Sequence, residues 1–106
     1  VTDAGSTSTA RARLEVLVHG RVQGVGFRIF AVRAAALRQL SGWVANESDG
    51  GVRCVAEGAR ADLEAFARDL ATGPIGASVD RVEATWSDPL GESGRFALRS
   101  GWHGGD

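Results

Sequence analysis

All twelve basic residues of this 106-residue chain are arginine, and there is no lysine, tyrosine or methionine. A Schiff-base lysine, a Walker-type phosphate lysine and a tyrosine acid are therefore excluded. Cys54 is the single cysteine, so the chain closes no internal disulfide; with only His19 and His103 beside it, there is no zinc set built from Cys and His. No metal and no cofactor is expected. A lone thiol also favours a reducing compartment, and the cytoplasm is the expected location. Twelve arginines against thirteen acidic residues leave a net charge of -1, without the basic excess that nucleic acid or an anionic membrane surface requires. No stretch approaches the roughly 18 consecutive apolar residues of a membrane span. Residues 1–12, rich in Ser, Thr and Ala, lack the apolar core of a signal peptide. They and residues 100–106 read as solvated tails around one domain over 13–99, long enough to bury roughly two thirds of its unfolded surface.

What is present has a clear order. Leu14, Val16 and Val18 alternate with Glu15, Leu17 and His19, the period of a half-buried strand. Gly20 breaks that strand, and a segment with three glycines leads into Phe27 to Leu40, mostly Ala, Leu and Arg, which predicts a helix stopped by Gly42. Its apolar rows are Phe30, Ala34 and Leu37, and Ile29, Ala36 and Leu40. Trp43 to Asn46 and Val52 to Glu57 flank Asp49-Gly50-Gly51, the pattern of a hairpin. Leu63, Phe66, Ala67 and Leu70 fall at i, i+3, i+4 and i+7, one face of a second helix that Gly73-Pro74 ends. Val82, Ala84 and Trp86 mark a fourth strand, and Phe96 and Leu98 a short fifth at an edge. The order βαββαβ predicts an α+β ferredoxin-like sandwich, with two helices on one face of a mainly antiparallel sheet.

The turn from Gly20 to Phe27 lies between a strand and a helix start, where backbone N–H groups and the helix dipole favour an anion. It is equally compatible with a plain glycine turn. A dinucleotide fingerprint is excluded because Ile29 stands where its third glycine would be. Arg28 favours the anion reading, since a cation at a helix start opposes the dipole unless an anion lies between them.

Three segments then become specific: Gly20-Arg21-Val22-Gln23-Gly24-Val25-Gly26-Phe27-Arg28, Gly42-Trp43-Val44-Ala45-Asn46-Glu47-Ser48-Asp49-Gly50-Gly51-Val52, and Gly73-Pro74-Ile75-Gly76-Ala77-Ser78-Val79. In that order they closely resemble the acylphosphatase family, over about Leu14 to Arg99. The resemblance implies a ferredoxin-like sandwich that hydrolyses acyl phosphates without a metal. It implies further that Arg28 binds the phosphoryl group together with the loop amides of Val22, Gln23, Gly24, Val25, Gly26 and Phe27, and that Asn46 positions the attacking water. Two positions depart from the family pattern. Arg38-Gln39-Leu40 stands where the family often has Leu-Gly-Leu, losing a glycine suited to a left-handed helix cap. Ala45 stands where a basic residue is common.

An acyl phosphate leaves as a carboxylate whose acid has a pKa of about 4 to 5, so its departure needs no proton donor at neutral pH. Phosphoryl transfer then rests on positioning and charge stabilisation, which amides and a forked guanidinium supply. The expected partner is a small acyl phosphate and the expected state a monomer. A non-catalytic module that holds phosphate or carbamoyl phosphate, as in a larger maturation enzyme, is the alternative; no carbamoyl-transfer segment follows in this chain. An RNA-binding module of the same fold would want exposed aromatics and a basic face, where Val16, Val18, Val52 and Cys54 stand instead. His19 reads as structural, Cys54 as a buried thiol, Arg21 as a solvated loop residue and Trp43 as core.

Overall fold

The structure is a computed structural model that describes residues 10–100. His103 and most of both expected tails lie outside the described residues. Strand β1 (Arg11–Arg21) leads to helix α1 (Phe27–Leu37), the hairpin of β2 (Ser41–Asn46) and β3 (Val52–Ala59), helix α2 (Arg60–Thr72), β4 (Ser78–Ser87) and β5 (Ala97–Arg99). The five strands lie in the order β4-β1-β3-β2-β5, antiparallel except that β5 runs parallel to β2. This is the expected ferredoxin-like α+β arrangement with its additional edge strand. None of the helices among the described residues is long and apolar enough to cross a membrane.

Strand alternation sorts side chains onto two faces. Leu14, Val16 and Val18 of β1, Val44 of β2 and Val52, Cys54 and Ala56 of β3 are buried in one cluster with Phe27, Ala31, Ala34 and Ala35 of α1 and Leu63, Phe66 and Leu70 of α2. Both helices therefore cover a single face. The apolar row of α2 is the one its periodicity predicts. That of α1 is so only in part: Ala34 is buried and Phe30 packs against the core, but Leu37 is 81% exposed and Ile29 48%, and Phe27, Ala31 and Ala35 complete the inward face. Leu40, past the helix end, is buried as well, so of the expected rows only Ile29, Ala36 and Leu37 face outward.

The end of α1 also differs from expectation. It stops at Leu37 rather than Leu40, because the Gln39 amide donates to the Ala36 carbonyl at 3.1 Å and the Leu40 amide to Ala35 at 3.0 Å, a Schellman closure. Gln39 takes the left-handed conformation (φ 54) that the closure needs, at the position where a glycine would suit. Arg38, the other departure, pairs with Asp69 of α2 at 3.0 Å. Gly42, expected as the helix stop, lies instead inside β2, where a Cβ would sit 1.9 Å from the Val55 carbonyl oxygen; only glycine admits that approach.

On the other face, Glu57 of β3 is buried and organises the connection from β4 to β5. Its carboxylate accepts from Arg13 Nη1 at 2.7 Å and from the backbone amides of Leu90 (2.7 Å), Gly91 (3.0 Å) and Glu92 (3.0 Å). Burial alone would raise the Glu57 pKa; the Leu90 amide, the Arg13 guanidinium and the amides of Glu92 and Gly91 outweigh it and hold the group down to about 2. The chain then reaches Phe96, which returns to the helical layer and packs edge-on against Phe66 with ring centroids 5.7 Å apart.

Candidate functional site

The glycine segment closes β1 and opens α1. The β1–β4 register shifts between His19 and Gly20, and the chain then leaves the sheet with Val22 buried. Gly24 (φ 75) and Gly26 (φ 80) are both left-handed, and Gly26 is the N-cap of α1. A Cβ at either would meet nothing within 4 Å, so the backbone conformation, not crowding, calls for glycine here. Left-handed residues just before a helix start are the backbone setting from which anion-binding rows of amides are built. Val25 lies beside Gly76 of the α2–β4 connection, where an added Cβ would stand 3.5 Å from the Val25 Cβ.

Arg28 is the second residue of α1. Its Nη1 donates to the Arg99 carbonyl of β5 at 3.2 Å. Arg99 is the register partner of Ala45, the residue before Asn46. The guanidinium thus reaches from the helix start to the strand beside the one that ends in Asn46. Sequence reasoning missed this role of β5, because a carbonyl acceptor on a three-residue edge strand leaves no mark in composition or periodicity.

Asn46 is the last residue of β2 and only 4% exposed. Its cross-strand partner is Val52, which itself pairs with Val18, so Asn46 belongs to the row that faces the helices, at the end of the sheet where β1 turns into the glycine segment. The acidic neighbour, Glu47, is drawn off by Arg53, whose Nε lies 3.2 Å from its carboxylate; Arg53 is also paired with Glu15. Gln23 joins the two halves of the site: its Nε2 donates to the Glu47 carbonyl at 2.8 Å and to the Gly51 carbonyl at 2.9 Å.

The remaining candidates fall elsewhere. His19 lies on the face opposite Asn46 and meets Glu83 at 2.8 Å. Hydrogen bonds from Arg81 and His19 lower the Glu83 pKa. Cys54 is buried, and burial pushes its thiol pKa up, which suits a core residue and not a nucleophile. Trp43 corrects an expectation. It lies on the face away from the helices, half-buried under the Arg99 guanidinium at 4.4 Å, because the alternation that puts Val44 in the core points Trp43 the other way. Among the described residues no group of three or more His, Cys, Asp or Glu is gathered to hold a metal ion.

Over most of its length the chain is similar to known proteins. A family model described as Acylphosphatase matches residues 14–98. The chain is 44% identical over 89 residues to an acylphosphatase of Anaeromyxobacter dehalogenans, which spans 84% of this chain and 96% of that protein. The crystal structure of acylphosphatase from Bacillus subtilis superposes with a TM-score of 0.80 at 38% identity, covering 83% of this chain and 98% of that one. The crystal structure of T. kodakarensis HypF superposes with a TM-score of 0.74 at 39% identity, covering 84% of this chain but 12% of HypF.

Proposed function

The chain belongs to the acylphosphatase family, and from that premise we propose that it hydrolyses the carboxyl–phosphate bond of small acyl phosphates, without a metal, through Arg28, Asn46 and the amides of residues 22–27. The observation that carries this reading is the meeting of two left-handed glycines, a helix start with its own arginine, and a buried asparagine at one end of the sheet.

The non-bridging oxygens of the phosphoryl group accept from the amides of Val22, Gln23, Gly24, Val25, Gly26 and Phe27 and from the Arg28 guanidinium. These donors are fixed before substrate arrives, so they meet the charge that gathers on those oxygens without reorganising. Asn46 orients a water for attack on phosphorus opposite the acyl oxygen. The P–O bond to the carboxyl group breaks, a carboxylate departs with the electron pair, and the proton of the water goes to the phosphate product or to solvent. Asn46 is uncharged and does not take it.

The reading takes the enzyme as a monomer, and a buried free thiol is at home in the cytoplasm. The reading as a module that only holds phosphate is less well supported, because a water-positioning asparagine has no part in it. The deciding experiment compares acetyl phosphate with a simple phosphate monoester. Rapid hydrolysis of the first alone is expected, since the alkoxide of the second leaves poorly without an acid. Binding of phosphate without hydrolysis of either would favour the holding module.

A further inference from the structure

Gln23 lies within the glycine segment, yet its side chain faces away from any phosphate held by the amides. Both protons of its carboxamide nitrogen are committed: one to the Glu47 carbonyl at 2.8 Å, the other to the Gly51 carbonyl at 2.9 Å. These carbonyls already close the β2–β3 turn, since Glu47 N–H donates to Gly51 O at 2.8 Å and Gly50 N–H donates to Glu47 O at 3.1 Å. Asp49 Oδ1 accepts from the Gly51 amide at 2.9 Å and stiffens the same turn from within. The turn is thus a small rigid unit with Asn46 at its entrance. Gln23 is its bolt to the anion-binding segment.

We infer that Gln23 is a positioning residue for this reaction: its carboxamide fixes the turn that carries Asn46 against the phosphate-holding amides, and so sets where the attacking water stands relative to phosphorus. The inference rests on the roles assigned above to Asn46 and the loop amides. Gln23 acts on the chemical step and not on phosphate capture, because its backbone amide remains when the side chain is changed. A small error in the placement of a nucleophile lowers the rate far more than it lowers ground-state affinity. Within the segment, the Gln23 side chain is therefore distinguishable from the backbone that surrounds it.

The test uses Gln23→Ala and Gln23→Met, which keeps the length of the side chain and removes both donors without placing a charge beside the anion. In both, kcat on acetyl phosphate should fall by roughly tenfold or more while the inhibition constant of inorganic phosphate changes by less than about threefold. A double-mutant cycle supplies the second readout. In an Asn46→Ala background, loss of the Gln23 side chain should cost little further rate, because its effect passes through Asn46. An unchanged kcat, a parallel loss of phosphate binding, or full additivity with Asn46→Ala would each overturn the inference. If Gln23→Ala does not fold, Gln23→Met decides the same comparisons; if neither folds, Gln23 is a stability residue and the inference fails. Failure of the underlying reading looks different: Asn46→Ala itself would then hydrolyse at the wild-type rate.

Discussion

Arg13 and Glu57 are register partners on β1 and β3, and their side chains meet at 2.7 Å on the face of the sheet away from the helices. The pair is completed by three consecutive backbone amides, those of Leu90, Gly91 and Glu92. One carboxylate therefore holds the connection that delivers β5 to the sheet edge, where Arg99 receives Arg28. A buried charge far from the glycine segment is in this way linked to the geometry of the site.

This linkage predicts an acid limb of stability. The folded Glu57 has a pKa of about 2 against an ordinary 4.5, so the unfolded chain binds more protons between those values. Its contribution, about 3 kcal/mol, is complete above pH 4.5 and lost as the pH falls toward 2. Glu57→Gln should lower stability at neutral pH by about 3 kcal/mol, since Arg13 keeps only its longer pairing with Glu92 at 3.4 Å and one carboxamide oxygen must serve several donors. Urea denaturation between pH 2 and 7 checks both statements. An acid limb that stays as steep in the variant would assign it to other groups.

Gln39 predicts a gain. It holds φ 54 in the Schellman closure of α1, a conformation that costs a residue with a Cβ and not glycine. Gln39→Gly should stabilise the protein by about 0.5 to 1 kcal/mol, the strain relieved less the added freedom of the unfolded chain. Denaturant midpoints measure it. A loss of stability would show that the Gln39 side chain has contacts worth more than the strain.

Arg28 and Asn46 should fail differently. Arg28→Ala removes phosphate binding and charge stabilisation together, so inorganic phosphate should bind more weakly and hydrolysis fall by at least roughly 10²-fold. Asn46→Ala should slow hydrolysis by a comparable factor while phosphate affinity holds. Both should keep the wild-type circular dichroism. Wild-type turnover in Asn46→Ala would remove the water-positioning role.

Chelation should leave the activity intact. Arg28 and the loop amides meet the phosphoryl charge in the proposed mechanism, leaving no role for a bridging cation. The assay is acetyl phosphate hydrolysis with and without chelator. Loss of activity restored by magnesium would sink the mechanism.

The linear order of residues determined the element order, the inward face of α2, the hairpin around Gly50 and the glycine segment before α1, because each depends on neighbours within a turn or two of chain. The motifs around Arg28 and Asn46 were legible through their resemblance to the acylphosphatase family, which short runs of sequence carry. The faces of β2 and α1 were not. Trp43 is as apolar as a core residue, but the pairing of Val44 with Cys54 points it away from the helices, and the turn of α1 carries Leu37 outward where Phe27, Ala31, Ala34 and Ala35 are buried. Nor could chain order reveal that Gln23 would bridge to Glu47 and Gly51, that Arg28 would meet the carbonyl of Arg99, or that Glu57 would gather the amides of residues 90–92. Each of these joins groups far apart in sequence, and half of the partners are backbone atoms, which every residue carries alike. Only the packing of the sheet against its helices and connections selects which backbone groups meet which side chains.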